Sequence, residues 1–363
     1  DMRIGLICPY SLTIPGGVQG QVLGLARMLR SSGHPTRVLG PCDGPPPDAG
    51  VTPLGNSLPT AANGSMAPIA PDVSCALRTI RALRDEEFDV IHLHEPLAPG
   101  PTTTALFLAA APMIGTFHAA GGSLAYDVMN PGVRWLNRRL DRSFAVSEDA
   151  AAMASASLGG EYEILFNGVE VHRSSEVEPW QTEGPTVFFI GRHEQRKGLT
   201  VLLDAMSHLP ANVRLWVAGD GPETEALRSR VAGDGRISWL GRISDEERTA
   251  RIRGADVFCT PSLRGESFGV VLLEGMACET PVVASDIPGY SKVARGGDYA
   301  LLVPPGDAAA LGAAIDKVLR DPDLADRLVT SGRTRAEEFS MRRLADRYIE
   351  AYEDVVARRR VAR

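Results

Sequence analysis

Arg3-Ile4-Gly5-Leu6-Ile7-Cys8, a loop closing on Pro15-Gly16-Gly17, a helix-period segment from Gln19 to Ser31, and a second apolar run from Thr36 to Leu39 set the pattern of the chain. An unbroken apolar run of this length reads as a strand buried on both faces, and joining it to a parallel neighbour requires a crossover helix. The opening therefore predicts a parallel α/β sheet. The alternation continues with a helix from Val73 to Arg84 and strands from Phe88 to His94, Met113 to Phe117 and Arg142 to Val146. Between them, Gly40 to Pro59 is rich in Pro and Gly and reads as a loop. After Phe166-Asn167-Gly168 the periodicity fails. It resumes with strands at Thr186 to Ile190, Val213 to Ala218, Ile237 to Leu240, Val257 to Thr260 and Pro281 to Ala284, each followed by a helical segment.

A chain of 363 residues exceeds one ordinary core and suits two. The expected division is a first domain over 1–168, a connection over 169–184, a second domain over 185–341, and a last helix, about 342–363, returning to the first. The expected class is α/β, with two Rossmann-like, doubly wound domains facing across a deep cleft. Open sheets of this kind bind ligands at the carboxyl ends of their strands. The five cysteines are scattered without a CxxC pair, which excludes a disulfide framework or zinc knuckle and fits a reducing compartment. A net charge of −7 excludes a general attraction to nucleic acid. No stretch approaches the ~20 apolar residues of a membrane span, and the chain enters a strand within its first residues. A cytoplasmic protein is expected.

Three segments carry chemistry. Gly16 and Gly17 stand immediately before a helix, where bare backbone and free N–H groups favour an anion; a tight turn without ligand is an equal reading. The complete GxGxxG of a nicotinamide dehydrogenase is missing there. Gly191-Arg192-His193-Glu194-Gln195-Arg196-Lys197-Gly198 follows a strand, so Arg192 and Lys197 are placed to hold a diphosphate, or else to pair with surface carboxylates. In Glu266-Ser267-Phe268-Gly269-Val270-Val271-Leu272-Leu273-Glu274, Glu266 lies in a loop and Glu274 about two turns into a helix. Carboxylates at two depths suit hydroxyls of a sugar and of a ribose, while Phe268, Gly269 and Val270 offer N–H groups at the helix start.

Glu266 and Glu274 form an E-x7-E element. With Arg192/Lys197, Pro15-Gly16-Gly17, Thr116-Phe117-His118 and Asn167-Gly168-Val169, it resembles the retaining glycosyltransferases of the GT-B fold, with motifs in order across nearly the whole chain. Cys8-Pro9-Tyr10-Ser11, Asn63-Gly64-Ser65 and Phe88 through Pro96 are most similar to the actinobacterial phosphatidyl-myo-inositol mannosyltransferases. The resemblance implies a catalytic set of His118, Arg192, Lys197 and Glu266. It implies donor contacts at Gly16, Gly17, Ile243, Arg248, Ser267, Phe268, Gly269, Val270 and Glu274, with Tyr10 and Gln19 facing the acceptor. It further implies a hexose donor, GDP-mannose, used as substrate. No resident cofactor or metal is expected, a divalent cation acting at most as a stimulant.

The acceptor implied is a lipid-linked inositol, which would place the protein at the inner face of the plasma membrane. Three segments depart from the family: the helix over Pro71 to Arg84 carries only Arg78, Arg81 and Arg84, Ala119-Ala120-Gly121-Gly122-Ser123 follows His118, and Ile14 replaces an acidic residue. A UDP-sugar donor with a small soluble acceptor, a non-catalytic sugar-nucleotide-binding protein and an epimerase of the same fold remain open readings. Val133 to Arg142 is expected as a helix with Arg134, Arg138 and Arg142 on one stripe, either solvated or laid on anionic lipid. His92 and His94, beside Glu95, lack a third ligand at a telling spacing and are read as packed side chains.

Overall fold

The computed structural model describes residues 1–62, 65–119, 131–266 and 268–362. The chain forms two compact units, Asp1–Gly168 with Met341–Arg363, and Val169–Ser340. The first begins with β1 (Ile4–Ile7), α1 (Gly17–Ser31), β2 (Thr36–Gly40), β3 (Val51–Pro53), β4 (Leu58–Ala62), β5 (Ser65–Ile69) and α2 (Val73–Glu86). It continues with β6 (Val90–His94), α3 (Pro101–Leu108), β7 (Met113–Phe117), α4 (Pro131–Asn137), β8 (Arg142–Ala145), α5 (Glu148–Leu158) and β9 (Glu163–Ile164). Seven strands make a parallel sheet ordered β3-β2-β1-β6-β7-β8-β9, and β4 pairs antiparallel with β5. The strand order reverses between β1 and β6, which places a ligand-binding switch point beside the carboxyl ends of these two strands.

The second unit opens with α6 (Val171–Glu176), β10 (Thr186–Ile190), α7 (Leu199–Ala205), β11 (Arg214–Ala218), α8 (Thr224–Arg230), β12 (Ile237–Gly241) and α9 (Asp245–Gly254). It closes with β13 (Val257–Thr260), α10 (Val270–Ala277), β14 (Val282–Ser285), α11 (Pro288–Ala294), β15 (Leu301–Val303), α12 (Ala308–Arg320) and α13 (Pro322–Glu338). Its six parallel strands run β12-β11-β10-β13-β14-β15, with the reversal between β10 and β13. The last helix, α14 (Met341–Val361), belongs to the first unit.

Each sheet is buried on both faces, which is why its strands read as continuous apolar runs. On one face of the first sheet, α1 packs Val22, Leu25, Ala26 and Leu29, and α14 packs Leu344, Tyr348, Ala351, Tyr352 and Val355. Both sets recur at helical spacing, and burying each large side chain contributes roughly 1.5–3 kcal/mol. The other face is covered by α2, α3 and α5 through Cys75, Leu83, Ala105, Leu106 and Ala150. Helix starts are fixed by side-chain caps, among them Asp72 on the Cys75 N–H, Ser147 on Ala150 and Ser244 on Glu247, each worth about 1 kcal/mol.

Three expectations change. The segment 40–59 is not a loop throughout: Val51 pairs with Val38 in the edge strand β3, and β4 begins at Leu58. Three residues are too few to show a period. Residues 169–184 are not a bare connection but part of the second unit. There α6 packs on α10, the Trp180 N–H donates to the Ala250 carbonyl at 2.8 Å, and Arg251 lies 4.1 Å over the Trp180 ring. The basic helix over 133–142 is broken, because α4 ends at Asn137 and Arg142 opens β8 opposite Ile114. Arg142 is held there by Glu163 at 2.5 Å and Asp354 at 3.4 Å.

Candidate active site

In the second unit, the chain leaving β10 passes Arg192 and tightens into a single turn, Gln195–Lys197, closed by Gly198. Gly198 sits at φ +74°, and a Cβ there would stand 1.9 Å from the Pro261 carbonyl oxygen. Only glycine lets this turn press against the loop between β13 and α10. The Arg196 carbonyl accepts the Leu263 N–H at 2.7 Å, locking the two loops together.

That approach brings Lys197 to Glu266: Nζ lies 2.6 Å from Oε1. The same oxygen accepts from Ser262 Oγ at 3.2 Å, and the Tyr290 hydroxyl in turn donates to Ser262 Oγ at 3.0 Å. Burial, and then the neighbouring Glu266 charge, push the Tyr290 phenol well above its ordinary range, so it remains a neutral donor. Lys197, Ser262 and Arg196 all approach Glu266 at Oε1. Glu194 collects the remaining cations, with Arg196 at 2.8 Å and Arg192 at 3.4 Å. Arg192 is the more exposed of the two and borders a pocket of about 570 Å³ together with Asp220, Thr224, Arg228 and Arg242.

Glu274 is the fifth residue of α10, just over one turn from its start rather than two. Arg248, on α9, reaches it with Nε at 2.9 Å and Nη2 at 2.6 Å, both on Oε2. Burial works against the charge on Arg248, but the Glu274 carboxylate outweighs it and raises the guanidinium further. Gly269 caps α10, Phe268 packs edge-on against Phe339 at 5.6 Å, and Val270 is the first helical residue. Ser267 lies outside the described residues. Ile243 is half-buried against the core beside α9 and α10.

In the first unit, Gly16 caps α1, and no atom lies within 4 Å of where a Cβ on Gly17 would stand. The Cβ side of Gly17 is therefore open, while the Gln19 side chain lies against Gly16. Gln19 is buried, its amide donating to the Ser11 carbonyl at 3.3 Å, and Tyr10 is half-buried, bridging backbone to Ile69. His118 follows β7. Its backbone N–H and that of Ala119 donate to Glu95 Oε1, and Glu95 itself holds a left-handed backbone at φ +47°. Such strain in a non-glycine residue persists only where the surroundings over-determine it.

His118 Nε2 lies 3.0 Å from His94 Nδ1, and the His94 ring lies tilted with its centroid 4.2 Å from that of His92. His92 bonds the Tyr352 hydroxyl at 2.6 Å and Thr116 at 2.7 Å. Burial pushes His118 down to about 4 and holds His92 and His94 well below the ordinary histidine range. All three are neutral at pH 7. Among the described residues, no three His, Cys, Asp or Glu side chains converge as a metal site.

In the second unit, residues singled out from the sequence meet in the Lys197–Glu266 and Arg248–Glu274 pairs, but the side chains that support them were missed. Ser262 and Tyr290 in the second unit carry no motif, Glu194 was given no role within the 191–198 segment, and Glu95 was read only as a neighbour of two histidines.

Residues 171–335 match the model of the glycosyl transferases group 1, and residues 15–173 that of glycosyltransferase family 4. The structure is similar to the sucrose-phosphate synthase of Thermosynechococcus elongatus, with a TM-score of 0.73 and 21% identity over 98% of this chain and all of that one. The fold is that of a GT-B glycosyltransferase. The chain is 39% identical to the phosphatidyl-myo-inositol mannosyltransferase of Mycobacterium leprae over 98% of its length and 97% of the relative. It is 37% identical to that of Mycolicibacterium smegmatis, over 98% and 94%. It belongs to the phosphatidyl-myo-inositol mannosyltransferase family. Among the described residues no helix is long and apolar enough to cross a membrane.

Proposed function

We propose that the protein transfers a mannosyl residue from GDP-mannose to a hydroxyl of a lipid-linked inositol, with retention of anomeric configuration. The observation that carries this reading is the family membership over nearly the whole chain, supported by the Lys197–Glu266 and Arg248–Glu274 pairs of the second unit. In this reading Arg192 and Lys197 hold the diphosphate, and the N-terminus of α10 adds backbone N–H groups. Glu266 accepts a hexose hydroxyl through Oε2, while Arg248 fixes Glu274 so that its other oxygen meets the ribose. Ile243 lies against the base, with Phe268 beside the phosphates.

As the glycosidic C–O bond breaks, negative charge gathers on the leaving diphosphate, which takes the proton of the attacking hydroxyl on the same face of the sugar. The new C–O bond forms on that face. Fixed cations stabilise this charge more in the transition state than in the ground state. In the first unit, the family resemblance points to neutral His118, Gly17, Tyr10 and Gln19 as the residues to test for substrate contacts. The chemistry asks for no resident metal, and a divalent cation enters only as a screen of donor charge. The protein works at the cytoplasmic face of a membrane, where donor and lipid meet.

The test is GDP release coupled to mannosylation of short-chain phosphatidylinositol, run in parallel with UDP-glucose and with free inositol. Transfer from GDP-mannose to the lipid should exceed both controls by at least about tenfold, the margin of one lost polar contact at a site. Preference for the UDP-sugar or for free inositol overturns the assignment.

A further inference from the structure

We propose that His94 and Glu95 form a two-part clamp on His118: His94 holds the ring with its proton on Nδ1, and Glu95 holds the backbone. Both act through His118 and are positioning residues. In an extended strand, adjacent side chains point to opposite faces. His94 ends β6 and Glu95 follows it, yet the two converge on one residue. His94 Nδ1 lies 3.0 Å from His118 Nε2, while Glu95 Oε1 accepts the His118 N–H and, at 3.2 Å, that of Ala119. The left-handed backbone of Glu95, at φ +47°, breaks the alternation and brings its carboxylate to the residue that His94 meets. Two further bonds hold that conformation: the Glu95 N–H donates to the Thr116 carbonyl at 2.9 Å, and the Glu95 carbonyl accepts the Ala98 N–H at 3.1 Å. The strained residue is thus fixed on every side, and the strain serves the placement of His118.

Proton counting sets the tautomer. The rings are neutral at pH 7, so each carries a single N–H. His94 is 2% exposed, and its Nε2 is buried with no hydrogen-bond partner among the described residues. A proton there would be an orphaned buried donor, the rarer defect, whereas a proton on Nδ1 leaves only a lone pair unpaired. His94 Nδ1 therefore donates and His118 Nε2 accepts. The N–H of His118 then sits on Nδ1, which makes no hydrogen bond among the described residues and is left for a hydroxyl oxygen of the sugar. Below the clamp, His92 lies against the His94 ring and is itself fixed by the Tyr352 and Thr116 hydroxyls. This inference rests on the substrate contact of His118 named above.

The experiment reads the ring nitrogens of His118 by long-range proton–nitrogen NMR on the full chain with isotope-labelled histidine, the signal assigned by its loss in His118→Gln. Steady-state GDP release from GDP-mannose and short-chain phosphatidylinositol is measured alongside. Wild type at pH 7 should show the proton on Nδ1 and a bare Nε2. Leu and Asn have nearly one shape, so His94→Leu removes the donor that His94→Asn keeps. His94→Leu should lose the fixed Nδ1–H signature and lower kcat about tenfold or more, with the KM for GDP-mannose little changed, the mark of one misplaced polar contact. His94→Asn, whose amide still donates to Nε2, should return kcat to within about threefold of wild type. The wild-type spectrum decides even where a variant fails to fold: a proton on His118 Nε2 overturns the proposal. Normal turnover in His94→Leu, or equal losses in the Leu and Asn variants, overturns it as well. A His118 protonated on Nδ1 in a chain that transfers mannose to no acceptor would instead sink the proposed function and leave the clamp standing.

Discussion

Replacing Lys197 by alanine removes the ammonium that sits 2.6 Å from Glu266 Oε1. Two consequences separate cleanly. The fold should barely respond, because Glu266 keeps Ser262 Oγ at 3.2 Å and Arg196 at 3.6 Å, and a partly exposed pair contributes only about 1 kcal/mol. For a unit of this size that lowers the melting temperature by roughly 2–4 °C. Turnover should respond strongly, since a fixed charge facing a developing oxyanion is worth about 10²–10³ in kcat. The assay is steady-state GDP release, with circular-dichroism melts of the same preparations. Lys197→Ala/Glu266→Gln provides the control: residues acting on one bound donor are not additive, so the double variant should lose far less than the product of the singles. Turnover of Lys197→Ala within about threefold of wild type, or strict additivity, refutes the reasoning; one lost oxyanion donor costs far more than that.

Arg248→Ala removes both hydrogen bonds on Glu274 Oε2 and should raise the KM for donor about 10–100-fold with kcat little changed, an outcome checked by calorimetric titration with GDP. Gly198→Ala, at φ +74° and with its Cβ 1.9 Å from the Pro261 oxygen, should displace the Lys197 turn and lower kcat towards the Lys197→Ala value; normal turnover there means the turn does not position the lysine. His118 is depressed to about 4 from 6.5, so the unfolded chain binds its proton more readily. The stability it carries is present above pH 6.5 and lost as pH falls towards 4, by at most about 3 kcal/mol. His118→Gln should flatten that decline in melts between pH 7 and 4.5; an unchanged slope assigns it to other groups.

The central strands of both sheets were legible because burial on two faces leaves continuous apolar runs, and β7 falls on Met113–Phe117 as read, whereas the short strands β9 and β15 were not read. Glu266 and Glu274 were legible from their spacing after a strand. Their partners were not: Arg248 lies 26 residues from Glu274, on another helix, and nothing local marks that pairing. The stripe of Arg134, Arg138 and Arg142 fits a helical period, yet pairing of Arg142 with Ile114 drew the chain into the sheet. Tertiary pairing overrode a local pattern there. The β3 edge strand hid for the opposite reason, three residues being too short for any period.

The central claim is a same-face transfer in which the leaving diphosphate takes the acceptor proton. Its most direct measurement is the anomeric configuration of the first product formed from GDP-α-mannose and short-chain phosphatidylinositol, read by proton and carbon NMR during the initial turnover. The account requires an α-mannoside, appearing together with one equivalent of GDP. A β-mannoside would contradict it, because inversion needs a base on the far side of the sugar instead of cations gripping the departing phosphate.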